Sequence, residues 1–133
     1  MLIRLIVTAC LFAAPAVAGD AAVGESEFKK CKACHGIIAA DGTEIVKGGK
    51  TGPNLWGIVG RQIGSYPDFK YGDSIVAAGA DGSVWDEASL AAYVVDPGKW
   101  LAEKTGDAKA KSKMTFKLAK GNEDMAAYLA TLK

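Results

Sequence analysis

Histidine occurs once in this 133-residue chain, at His35, and arginine twice, at Arg4 and Arg61. A single histidine excludes any iron site held by two imidazoles of the same chain. Cysteine is also scarce: Cys31 and Cys34 stand beside His35, while Cys10 lies in an N-terminal apolar run. A structural zinc needs about four Cys or His ligands, and these offer three. No βαβ pattern surrounds the two thiols, which excludes a thioredoxin-like dithiol. Internal repeats, low-complexity tracts and phosphate-cradling glycine loops are missing, and the lysine clusters lack the interleaved aromatics of a single-strand-binding groove, so nucleic acid is not an expected partner.

Long apolar runs are missing too, apart from the N-terminus. Residues 1–18 carry Arg4, an apolar stretch from Leu5 to Ala14, and Ala16-Val17-Ala18. That is the pattern of a secretory signal peptide with an A-x-A cleavage site, placing the new N-terminus at Gly19. Pro15 interrupts the stretch, which falls short of the roughly 20 apolar residues of a spanning helix. A lipoprotein-type cut at Cys10 would leave an unusually short apolar region. Residues 19–133 then form one domain exported to the periplasm. Losing the leader removes Arg4 and no acid, leaving 15 basic and 15 acidic residues.

What is present is Cys31-Lys32-Ala33-Cys34-His35. In an exported protein a C-x-x-C-H run is a haem attachment site, two thiols capturing the vinyl groups and the adjacent imidazole taking the iron. In a chain this short a large, flat, apolar cofactor supplies much of the interior. With no second histidine, methionine is the remaining candidate for the other axial position. Met125 falls on a helical stripe with Tyr128, Leu129 and Leu132 and reads as core. Met114, in Lys111-Ser112-Lys113-Met114-Thr115-Phe116, has no such stripe and reads as the ligand. A soft thioether favours ferrous over ferric iron and so raises the reduction potential. Two protein ligands close the iron to oxygen, which suits one-electron transfer and argues against an enzyme. A haem enzyme or gas-binding sensor with a displaceable methionine is the alternative.

The pattern around these residues predicts an all-α fold. Asp20 caps a helix carrying Gly24, Phe28 and Cys31 on one face, and Gly24 marks a close crossing with the C-terminal helix, for which Asn122 is the expected cap. A loop with a short hairpin follows His35, a weak helix covers Gly72 to Ala80, and Asp86 caps a helix that Pro97 stops, with one more turn from Lys99 to Glu103. Lysines gather near both candidate ligands. Such a ring steers an acidic partner towards the haem edge.

Taken together, Cys31 to His35, Gly52-Pro53-Asn54-Leu55, Gly60-Arg61, Trp85, Tyr93 with Pro97, and Lys113-Met114-Thr115-Phe116 make the chain resemble the class I c-type cytochromes, most of all the bacterial cytochromes c2. The resemblance spans Asp20 to Leu132. It implies the cytochrome c fold, about four to five helices and long loops around one haem c, with thioethers at Cys31 and Cys34 and axial His35 and Met114. It implies that the Pro53 carbonyl accepts the Nδ1 proton of His35, that Arg61, Tyr71, Trp85 and Ser112 bind or neutralise the haem propionates, and that Tyr93 places a hydroxyl near the methionine sulfur. The stretches from His35 to Gly52 and from Leu101 to Lys113 are longer than in the short mitochondrial pattern, with Glu103 to Ala108 inserted. By the same resemblance the protein is a monomeric periplasmic shuttle of the respiratory chain or of photosynthesis. It carries electrons from a bc1 complex to a photosynthetic reaction centre or a terminal oxidase, docking briefly through Lys30, Lys32, Lys50, Lys99, Lys111, Lys113 and Lys117.

Overall fold

The computed structural model describes residues 19–133, so the signal-peptide expectation for residues 1–18 lies outside the described residues. Among the described residues, five α-helices and one small hairpin make up the regular structure: α1 (Ala21–Glu27), running into a 3-10 turn (Phe28–Lys30), β1 (Ile37–Ile38), β2 (Glu44–Val46), α2 (Asp73–Gly79), α3 (Glu87–Val95), α4 (Pro97–Thr105) and α5 (Asn122–Ala130).

The terminal helices α1 and α5 cross, and α5 also packs on α3. Gly24 permits the crossing: a Cβ there would overlap the Asp124 carbonyl oxygen. With no side chain between them the two backbones approach directly, which offsets the roughly 1 kcal/mol that glycine costs in a helix. Phe28 and Tyr128 meet edge to face across the crossing, ring centroids 5.9 Å apart. Asp20 caps α1 by accepting from the Ala22 and Val23 amides, and its own amide donates to the Asp124 carboxylate at 2.8 Å. Met125, 1% exposed, belongs to this core as the helical stripe predicts.

Two expectations are corrected. Asn122 does not cap α5. Gly121 occupies the cap position in the left-handed region, with φ 78°, and the Asn122 amide instead donates to the Ala91 carbonyl at 3.0 Å, tying α5 to α3. Pro97 does stop α3, but it also starts the nine-residue α4, longer than the single turn expected. Proline at the first helical position has no amide to leave unpaired, and Asp96 caps the helix by accepting from the Lys99 amide at 3.1 Å. A reciprocal cap between Asp86 and Ser89 starts α3. The hairpin pairs Ile37 with Val46 around a turn at Gly42.

Candidate functional site

The thiol-imidazole run leaves the 3-10 turn directly. The His35 amide donates to the Cys31 carbonyl at 2.9 Å, so the five residues are wound as one turn. Cys31 is half-buried against the core, Cys34 is exposed, and no disulfide joins them. Burial, helped by the neighbouring Cys34, pushes the Cys31 thiol up to about 11.

His35 is buried, and its Nδ1 lies 2.8 Å from the Pro53 carbonyl oxygen. Burial lowers its pKa, with the Pro53 bond opposing. The neutral imidazole donates from Nδ1 and keeps a lone pair on Nε2, which is the tautomer an iron requires. Among the described residues no side-chain nitrogen or oxygen is both fully buried and unpartnered. Nε2 has no protein partner and is therefore not fully sealed by the surrounding side chains. Gly52 makes room for the ring, since a Cβ there would collide with its Cε1.

The loop bearing Pro53 is held from two directions. Asn54 accepts from the Ile38 amide at 2.9 Å and donates to the Ile38 carbonyl at 2.8 Å, extending the hairpin with a side chain in place of a strand. Arg61 donates from Nη1 to the Asn54 carbonyl at 2.9 Å and from Nη2 to the Trp56 carbonyl at 2.6 Å. Its guanidinium lies 4.7 Å from the centre of the Tyr66 ring. Burial lowers the Arg61 pKa, opposed by the nearby Tyr71 and Tyr66; a guanidinium stays charged regardless. Arg61 has five donors and these bonds use two of them. The Tyr71 hydroxyl accepts from the Tyr66 amide at 3.0 Å, completing the group. Tyr66 was not singled out from sequence, and Gly52 and Asn54 were read only as members of the Gly52-Pro53-Asn54-Leu55 motif, without a role at the site. A Pro-Asn pair between glycines was the available signal, and it named the turn without its bonding partners.

The opposite wall is aromatic. Trp85, 4% exposed, has its ring centroid 4.9 Å from that of Tyr93 and 5.1 Å from that of Trp100. Its amide donates to the Arg61 carbonyl at 2.9 Å, joining the two walls. Tyr93 is buried, which raises its hydroxyl pKa, and the Ser112 side chain beside it opposes the shift. Ser112 accepts from the Met114 amide at 3.1 Å. Met114 is half-buried against the same core that Cys31 borders. So Cys31, Cys34, His35 and Pro53 form one group, Arg61 and Tyr71 a second, and Trp85, Tyr93, Ser112 and Met114 a third, with Cys31 and Met114 both bordering the core that contains Trp85 and Tyr93. Haem fits this set: a thiol pair at the right spacing, an imidazole with a free lone pair, and a half-exposed thioether on the core's border.

Of the seven lysines expected to ring the edge, two are in ion pairs. Lys30 binds Glu27 at 2.6 Å and Lys117 binds Asp96 at 3.2 Å. Lys113 donates to the Lys70 carbonyl at 3.3 Å. Lys32, Lys50, Lys99 and Lys111 are exposed and make no ion pair among the described residues.

Crossed terminal helices over a Cys-x-x-Cys-His turn, in an all-α chain, define a class I c-type cytochrome. No family model matches the chain. It is 67% identical to cytochrome c2 of Rhodobacter capsulatus over 126 residues, 95% of this chain and 92% of that protein. It is 63% identical to cytochrome c-550 of Paracoccus versutus, over 89% of this chain and 79% of the relative. The solved structure of Rhodobacter capsulatus cytochrome c2 superposes with TM-score 0.84 at 68% identity, covering 85% of this chain and 97% of the other. That of cytochrome c2 from Paracoccus denitrificans gives 0.83 at 56% identity, covering 85% and 95%. The chain belongs to the cytochrome c2 family. It is an electron carrier, not an enzyme, and its cofactor is covalently bound haem c.

Proposed function

We propose that this protein is a periplasmic one-electron shuttle in which Cys31 and Cys34 form the thioethers and His35 and Met114 are the axial ligands. Haem c supplies a ferric/ferrous couple that gains and loses one electron. The observation that carries the reading is the His35 geometry, with Nδ1 committed to Pro53 and Nε2 left open. The Pro53 bond orients the ring and makes it a stronger donor to iron. Met114 borders the core without filling it, whereas Met125 is packed on all sides.

Arg61, with three donors left over, the Tyr71 hydroxyl, Ser112 and the Trp85 indole are the groups that face the carboxylate edge of the cofactor; the indole makes no protein hydrogen bond among the described residues, yet it is not a buried orphan. Tyr93 lies within reach of the Met114 segment through Ser112. Residues 1–18 serve as an export leader, and 19–133 as one cytochrome domain. No described helix is long and apolar enough to cross a membrane. The exposed lysines meet carboxylates on membrane redox complexes, a bc1 complex as donor and a reaction centre or oxidase as acceptor.

Met114→Ala in the holoprotein tests the ligand assignment. The ferric sulfur-to-iron band disappears, carbon monoxide binds the reduced form, and the reduction potential falls by on the order of 100 mV, within the roughly 0.8 V range that axial ligands span. Met125→Ala leaves the spectrum intact and costs about 2–5 kcal/mol of stability in urea unfolding. Identical behaviour of the two variants overturns the assignment.

A further inference from the structure

The segment carrying Met114 has little regular bonding. It leaves the Asp107–Ala110 turn, where the Ala110 amide donates to the Asp107 carbonyl at 3.0 Å, and is caught again where the Leu118 amide donates to the Val94 carbonyl at 2.7 Å. Between these points, residues 111–117 contain no helix or strand. One main-chain group of that span hydrogen-bonds to the rest of the protein among the described residues: the Lys111 amide, donating to the Ser74 hydroxyl at 3.0 Å. The Met114 amide is satisfied within the segment, by Ser112.

Ser74 stands on α2, and α2 is a fixed platform. A Cβ on Gly79 would overlap the Ile63 carbonyl, so the helix end lies directly on that backbone, and Gln62 donates to the Gly79 carbonyl at 2.8 Å. The other end of α2 presents Ser74 to Lys111, while Gly72 packs against the Lys113 stem, whose ammonium reaches the Lys70 carbonyl. We propose that Ser74 is a positioning residue for the axial methionine: its hydroxyl latches the Met114 segment to α2 and sets how often the sulfur side of the crevice opens. This rests on Met114 being the ligand. The latch bond is partly solvated, so breaking it leaves an amide that water can satisfy, and the effect is that of one ordinary hydrogen bond.

The test uses ferric holoprotein and imidazole, which enters only when the sulfur side is open. Ser74→Ala is expected to raise imidazole affinity by about 2- to 10-fold, the range one net hydrogen bond spans. Ser74→Thr keeps the hydroxyl and restores affinity close to that of the parent protein. Ser65→Ala removes a hydroxyl that bonds the Gln62 carbonyl and itself makes no bond to residues 111–117, and leaves affinity unchanged. Unchanged affinity in Ser74→Ala, or an equal rise in Ser65→Ala, overturns the latch. Met114→Ala separates the two readings: if the parent protein binds imidazole as tightly as that variant, methionine ligation itself fails.

Discussion

The two sides of the crevice are built differently. On the histidine side, Gly49 donates to Lys32, Gly52 to Cys34 and Leu55 to Gly36 along the backbone, and Asn54 and Arg61 add four more bonds to the loop carrying Pro53. On the methionine side, the main chain of residues 111–117 is tied to the body, among the described residues, through Ser74 alone, with the side chains of Lys113 and Lys117 reaching Lys70 and Asp96. Local opening is cheapest where few backbone bonds are broken. The histidine side therefore acts as the fixed wall and the methionine side as the movable one. With His35 and Met114 as the proposed ligands, that division would suit a carrier, one side staying fixed while the other governs access.

Changes on the fixed wall should act on assembly and stability. Gly52→Ala puts a methyl into the His35 ring and displaces the imidazole from Pro53, so a loss near the upper end of overpacking costs, about 3 kcal/mol, is expected, read by urea unfolding together with a weakened histidine–iron signal in resonance Raman. A normal spectrum and stability would show that the loop adapts and the wall is not rigid. Asn54→Ala frees both main-chain groups of Ile38. A destabilisation of about 1–2 kcal/mol is expected, with little change in imidazole affinity.

The lysines test the comparison from outside. Lys32→Gln and Lys113→Gln should each lower the association rate with a membrane redox complex by a few-fold at low ionic strength and flatten its salt dependence, since rim charges act on encounter. Only Lys113→Gln should also raise imidazole affinity slightly, because its ammonium bonds the Lys70 carbonyl across the movable side. Equal imidazole affinities would remove Lys113 from the closure.

Far from both walls, Asp81 accepts from Ser83 and pairs with Lys104 at 3.4 Å, which holds its carboxyl down to about 2 from an ordinary 3.8. The unfolded chain binds that proton first as pH falls, so this contribution to stability is present above about pH 4 and is lost towards about pH 2. Asp81→Asn should flatten that part of the acid-unfolding curve and leave the crevice unchanged.

Much of the site was legible in the chain. A lone histidine after Cys-x-x-Cys identifies the cofactor and names the candidate ligand, because that chemistry needs adjacent residues. Gly24 announced the helix crossing, and Asp20 and Asp86 announced their helices, because caps act over two or three residues. Pro97 misled, since the proline that ends one helix also starts the next when an aspartate precedes it. Asn122 misled because its amide found a better partner in Ala91, on another helix. Arg61 was legible as the only arginine beyond the leader, but its use as a clamp on the Asn54 and Trp56 carbonyls was not.

By itself the sequence determined the cofactor, its covalent attachment and the helical class, and it singled out Met114 as the candidate ligand, all encoded in short spacings or in elimination among few residues. Tertiary structure alone decided which side of the crevice is rigid. That depends on hydrogen bonds between distant segments, Asn54 with Ile38, Arg61 with Trp56 and Lys111 with Ser74, and such bonds follow no spacing that a linear chain displays.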